Sequence, residues 1–126
     1  MVIAASSVAA SNSSALELEA KAFLESGWWG DYSNDPSSNH CQFYGIICNA
    51  GGSVIEIDRG GYYQADKISK LNFSSLPNLV RLNLSNNWLT GSISVEIGTL
   101  SKLTHLDLSL NYLTGSCLLH LETSLD

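Results

Sequence analysis

Cations, prolines and long apolar runs are all scarce in this chain, and each shortage excludes something. Six Lys and Arg stand against twelve Asp and Glu, giving a net charge of −6 over 126 residues. The six cations, Lys21, Arg59, Lys67, Lys70, Arg81 and Lys102, are scattered along the chain. No basic stripe exists to neutralise phosphates, so neither nucleic acid nor an anionic membrane surface is an expected partner. No apolar run reaches the roughly 20 residues of a spanning helix, so direct membrane insertion is not expected. Catalytic signatures are missing too: there is no Gly-rich phosphate loop, no H-R-D or D-F-G, no G-x-S-x-G and no H-E-x-x-H. Glu17 with Glu19 reads as solvated helix surface, and Glu56 with Asp58 lies on a short strand. Neither pair has the facing geometry that glycoside hydrolysis requires. The chain is read as a non-enzyme with no cofactor and no metal.

Three cysteines leave one over. Cys41 and Cys48 lie close together beside His40, but two thiols and one imidazole fall short of a closed zinc site. A local disulfide between Cys41 and Cys48 is the better reading, and it implies an oxidising compartment. Three N-x-[ST] sequons, at Asn12, Asn72 and Asn83, agree with secretion as possible N-glycosylation sites. Residues 1–10 (MVIAASSVAA) read either as the tail of a secretory signal or as a disordered terminus of small residues.

What is abundant is leucine at a fixed spacing. The pattern L-x-x-L-x-x-L-x-L-x-x-N-x-L-x-G occurs as Leu76, Leu79, Leu82, Leu84, Asn87, Leu89, Gly91. It recurs 24 residues on as Leu100, Leu103, Leu106, Leu108, Asn111, Leu113, Gly115, with all seven positions matching. Such a period marks a leucine-rich solenoid, in which each coil buries its leucines only by stacking on the next. Asn87 and Asn111 are polar at positions that turn inward. Their amides are therefore expected to form a structural ladder with loop backbone groups. Residues 54–58 (VIEID) read as a degenerate first strand, with Val54 and Ile57 where Leu79 and Leu82 stand later. Arg59 stands where Leu84 does, which is expected to weaken that strand's inward face.

Ahead of the repeats, residues 15–26 (ALELEAKAFLES) predict an amphipathic helix with Leu16, Ala20, Phe23 and Leu24 on one face. Asn12, Ser13 and Ser14 offer N-caps, and Gly27 a stop. The adjacent Trp28 and Trp29 are expected to seal the end of the stack. Residues 33–40 read as an irregular loop.

The helix, the tryptophan and C-x-(aromatic)-x-G-(Ile/Val)-x-C, here CQFYGIIC, resemble the N-terminal cap of plant leucine-rich-repeat receptor-like kinases. The repeats that follow resemble the plant-type consensus, although Ile93-Ser94 and Cys117-Leu118 replace its Ile-Pro. The resemblance spans residues 15 to about 117. It implies an α/β leucine-rich-repeat solenoid fragment of about two and a half to three coils, with a short parallel β-sheet on its concave face. The expected division is a residual signal or disordered segment at 1–14, a cap at 15–53 and repeats at 54–126. Those repeats subdivide as 54–78, 79–102 and an incomplete 103–126. Cys117 then falls at the inward position of Ile93, as a small core residue with a free thiol or as an intermolecular disulfide partner.

For function, the resemblance implies an extracellular recognition module of a receptor-like serine/threonine kinase. Its location would be the outer face of the plasma membrane or the cell wall, and its partner a peptide, a protein or a co-receptor ectodomain. Outward positions of the two good strands place Arg81 beside His105, Asn83 beside Asp107, and Ser85 beside Ser109, with Trp88 and Tyr112 just beyond. These are the candidate concave-face binding residues, and Arg81 with Asp107 reads alternatively as a diagonal surface ion pair. A secreted inhibitor of a cell-wall glycosidase and a truncated product without independent function are the other readings.

Overall fold

The computed structural model describes residues 2–30, 39–115 and 123–124, with the backbone alone described at residues 2–13 and 123–124. Helix α1 runs Val2–Ser26. It therefore begins well before the expected start at residue 15, because the stretch ahead of it contains no proline or glycine to break it. The expected caps at Asn12, Ser13 and Ser14 lie inside the helix, and its first turn holds no acid. Its buried face also differs from the expected one. Glu19, Ala22, Phe23 and Ser26 are buried, whereas Ala20 and Leu24 are exposed. The last three stand three, four and seven residues from Glu19, the spacing of a single helical face. Gly27 ends the helix at φ 72°, its N–H on the carbonyl of Leu24 at 3.3 Å.

After α1 come a 3-10 turn, His40–Gln42, and strand β1, Ile46–Cys48. A turn at Asn49 leads into β2, Val54–Asp58; Asn49 Oδ1 accepts from the N–H groups of Gly51 and Ser53. Strands β1 and β2 pair antiparallel, Ile46 with Ile57 and Ile47 with Glu56. From β2 onward the pairing is parallel. β3, Arg81–Asn83, aligns Glu56 with Arg81 and Asp58 with Asn83. β5, His105–Asp107, aligns Arg81 with His105 and Asn83 with Asp107. β7, Thr123–Ser124, pairs with β5 in turn. The result is a small mixed sheet in the order β1-β2-β3-β5-β7.

Between these strands the chain returns through 3-10 turns at Ile68–Lys70 and Phe73–Ser75, and through the short helix α2, Val95–Gly98. A second, two-stranded parallel sheet joins β4, Thr90–Ser92, to β6, Tyr112–Thr114. Helix α1 packs on the turn Phe73–Ser75, which also contacts α2.

One continuous core fills the space between sheet and return segments. Phe23, Val54, Ile57, Ile68, Phe73, Leu76, Leu79, Leu82, Leu84, Leu89, Ile97 and Leu106 all belong to it. At about 2 kcal/mol for each fully buried leucine, its burial is the largest stabilising contribution in the repeat region. Asparagine then satisfies the backbone that the leucines leave behind. Asn111 Oδ1 accepts from the N–H groups of Asn87 and Leu89, and its Nδ2 donates to the carbonyls of Leu84, Leu108 and Ser109. One coil earlier, Asn87 Nδ2 donates to the carbonyls of Arg59, Leu84 and Ser85, and Oδ1 accepts from Gln64 N–H. Cys117, like residues 31–38, lies outside the described residues.

Candidate functional site

Two constellations of polar side chains stand apart from this framework: one buried under the N-terminal helix, the other on the solvent face of the sheet.

The buried one centres on Glu19. It was read as solvated surface with Glu17, but two helical positions differ by about 200°, so the pair cannot share a face. Glu17 is exposed and Glu19 is 1% exposed. Its Oε1 accepts from Val54 N–H at 2.9 Å and lies 3.3 Å from His40 Nε2. Its Oε2 accepts from Ser53 Oγ, and Ser53 Oγ in turn accepts from Asn78 Nδ2 at 2.8 Å. One carboxylate thus ties α1 to the 3-10 turn, to β2 and to the first leucine-rich turn. His40 stacks on Phe23, with ring centroids 5.6 Å apart. A Glu, His and Ser together invite a catalytic reading, but Ser53 Oγ is bound to the carboxylate and not to the imidazole. The imidazole is not placed on the hydroxyl, so the arrangement is not that of a Ser-His-acid triad.

Cys41 and Cys48 form a disulfide, with Cα atoms 5.6 Å apart. Their sulfurs and a ring nitrogen of His40 lie within 4.8 Å of one another. With both sulfurs oxidised, the group has no thiolate to offer a metal. The motif around this bridge has a direct physical reading. Phe43 and Ile46 are buried. Gly45 has φ 79°, and a Cβ there would collide with the carbonyl oxygen of Asp58.

Arg59, expected to weaken the first strand's inward face, has its own set of partners. It is buried, and its guanidinium lies 4.4 Å from the ring centroids of both Trp29 and Tyr62. Its Nη2 donates to Gln64 Oε1 at 2.9 Å. Loss of hydration lowers its pKa, partly offset by the Tyr62 phenol. Two aromatic faces replace the lost water. Trp29 and Trp28 are both buried, and Trp29 Nε1 donates to the carbonyl of Tyr44 at 2.9 Å.

The second constellation is the solvent face of the sheet. Register alone lines up Ile47, Glu56, Arg81 and His105 as one row, and Asp58, Asn83 and Asp107 as the next. The parallel register brings Arg81 beside His105, and Asn83 beside Asp107. It does not pair Arg81 with Asp107. Arg81 Nε lies 3.5 Å from Glu56 Oε1, its neighbour in the same row. Asp107 instead accepts from the N–H and hydroxyl of Ser109, which is buried and so not a contact residue. Asn83 Nδ2 donates to Asp58 at 3.0 Å, and its Oδ1 accepts from Ser85 N–H. Trp88 is exposed, but its ring partner is Tyr63 at 5.0 Å, not Tyr112; Tyr112 belongs to the second sheet, paired with Thr90.

Of the sequons, Asn12 lies in α1, where side chains are not described, and Asn83 is held in the sheet rows. Asn72 is exposed, and its Oδ1 accepts from both the N–H and the hydroxyl of Ser74.

The capped end of this face was missed from the sequence. Tyr44, Ile47, Glu56, Asp58, Gly60 and Tyr62 line a groove of about 350 Å³. Tyr44 and Tyr62 are exposed and in ring contact at 5.3 Å. Partial desolvation, then the hydrogen bond with Tyr44, raise the Tyr62 phenol above its ordinary pKa. The alternation of residues 54–58 was the signal for Glu56 and Asp58. Nothing in the sequence pointed to Tyr44 and Tyr62 meeting there.

No protein-family model matches the chain. It is similar to the probable LRR receptor-like serine/threonine-protein kinase RPK1 of Arabidopsis thaliana, with 32% identity over 86 residues. That stretch is 68% of this chain and 15% of the kinase, so the chain spans about 15% of the length of the curated relative it matches. Among the described residues, no helix is long and apolar enough to cross a membrane.

Proposed function

We propose that this chain is an extracellular recognition module, a capped leucine-rich-repeat solenoid whose concave sheet face binds a peptide or a partner ectodomain. Residues 15–53 form its cap, residues 54–78, 79–102 and 103–126 its coils. The observation that carries the reading is the register. Parallel strands, with the antiparallel β1 at one edge, deliver side chains in straight rows, Ile47–Glu56–Arg81–His105 and Asp58–Asn83–Asp107. Rows of mixed polar groups on a rigid sheet suit an extended partner, read through hydrogen bonds and charge. The disulfide supports an oxidising, extracellular setting. Asn72 is the sequon best placed for a glycan, since it lies outside both rows.

The similarity to a receptor-like kinase supports the same role at the level of an ectodomain. In this reading the chain recognises and does no chemistry; in a receptor, signalling would be the work of other parts. The test uses a bead library of randomised octapeptides and a double variant, Arg81→Ser/His105→Ser. Both side chains are exposed, so the core is untouched. Wild type is expected to retain a subset of peptides and the variant to retain them about tenfold more weakly. Equal retention by both would remove this face from the account.

A further inference from the structure

We propose that the groove at the capped edge of the sheet takes the cationic side chain, arginine or lysine, of the partner peptide; this rests on the recognition reading above and gives it a chemistry. The groove is two-natured. It is lined by the apolar Tyr44, Tyr62 and half-exposed Ile47 and by the acidic Glu56 and Asp58. An arginine or lysine has the matching division, an apolar stem and a charged head. A purely apolar occupant would strand the two carboxylates, and an acidic one would be repelled by them.

The two acids are not equivalent. Glu56 is already paired with Arg81. Asp58 is exposed and accepts only from the neutral amide of Asn83; among the described residues no cation lies in ion-pair range of it. Asp58 is therefore an unneutralised charge of the face, and Asp107, likewise without an ion-pair partner among the described residues, continues it along the row. The aromatic wall already shows how it treats a guanidinium. Arg59 is held against Tyr62 from the core side, at 4.4 Å from the centroid. Tyr44 is 67% exposed and, among the described residues, has no such cation on its ring, so it offers an aromatic face. The chain's net charge of −6 draws a basic segment toward the face from solution.

The same octapeptide library, sequenced after retention on wild type, tests this. Arginine and lysine are expected to be enriched about fivefold or more over their input frequency at one peptide position. Replacing that residue by citrulline, which keeps the shape and loses the charge, is expected to weaken binding about tenfold. Asp58→Asn keeps the oxygen that Asn83 donates to and should abolish the enrichment. Tyr44→Ser removes an exposed ring and keeps the backbone carbonyl that accepts from Trp29, so the variant is expected to fold and should lower the enrichment as well. Peptides retained without any basic preference would overturn this inference and leave the recognition reading standing. A basic preference indifferent to both variants would overturn the assignment to this groove. No retained peptide at all would overturn both.

Discussion

On the capped-solenoid reading proposed above, the repeats and the cap meet the same need, a sealed core, by opposite means. In the coils the inward positions are leucine at a fixed period, with one asparagine per turn for the backbone. In the cap, and at Arg59 where the cap meets the first coil, the inward positions include a glutamate, a histidine and an arginine, each held by specific partners. A repeating core tolerates generic apolar contacts because every coil sees the same neighbour. The end of a stack has no such neighbour. There a helix, a disulfide and stacked rings have to be joined to the first strand, and Glu19 and Arg59 are the joints.

The difference can be broken most severely at Gly45. Gly45→Ala puts a Cβ against the Asp58 carbonyl at a positive φ and is expected to cost about 3 kcal/mol or more, read as the shift in urea midpoint. A loss below about 1 kcal/mol would mean that β1 and β2 can part without consequence. Next come Glu19→Ala in the cap and Asn111→Ala in the coils, each expected to cost about 3 kcal/mol because each strands several buried groups. Both should move one shared unfolding transition. Two separate transitions, one per variant, would show that cap and coils fold independently. Reducing the disulfide, or changing Cys41 and Cys48 to serine, should cost about 2 kcal/mol, since the closed loop is short.

The sharpest comparison is the smallest. Arg59→Leu installs the residue that the coils use at that position. It is expected to destabilise by about 1 kcal/mol through loss of the stacked rings and the Gln64 hydrogen bond. A stabilised Arg59→Leu protein would mean that Arg59 is only an imperfect leucine.

Legibility in the sequence follows the same division. The strands at Arg81 and His105 and the rows they form could be read from spacing, because a two-residue period and a 24-residue repeat leave little freedom. The cap misled at its charges. Glu19 was assigned to water because acids usually go there, and Arg59 was treated as a defect because it interrupted the leucines. Ser53 and His40 are more than 20 residues from Glu19, and Trp29 is 30 from Arg59, all beyond helical or strand reach in sequence. The groove beside Tyr44 was hidden for that reason as well. Its walls come from segments on either side of two strands, brought together only by the antiparallel β1–β2 pair.

That the sheet face, and not the helical flank, is the recognition surface is tested most directly by amide chemical shifts of the labelled chain titrated with a library-selected peptide. Perturbations are expected at Ile47, Glu56, Asp58, Arg81, Asn83 and His105, all on one face. A smaller groove of about 260 Å³ lies beside α1, lined by Leu16, Asn49, Pro77 and Asn78 among others. Shifts gathered there, with the strand residues unmoved, would contradict the account.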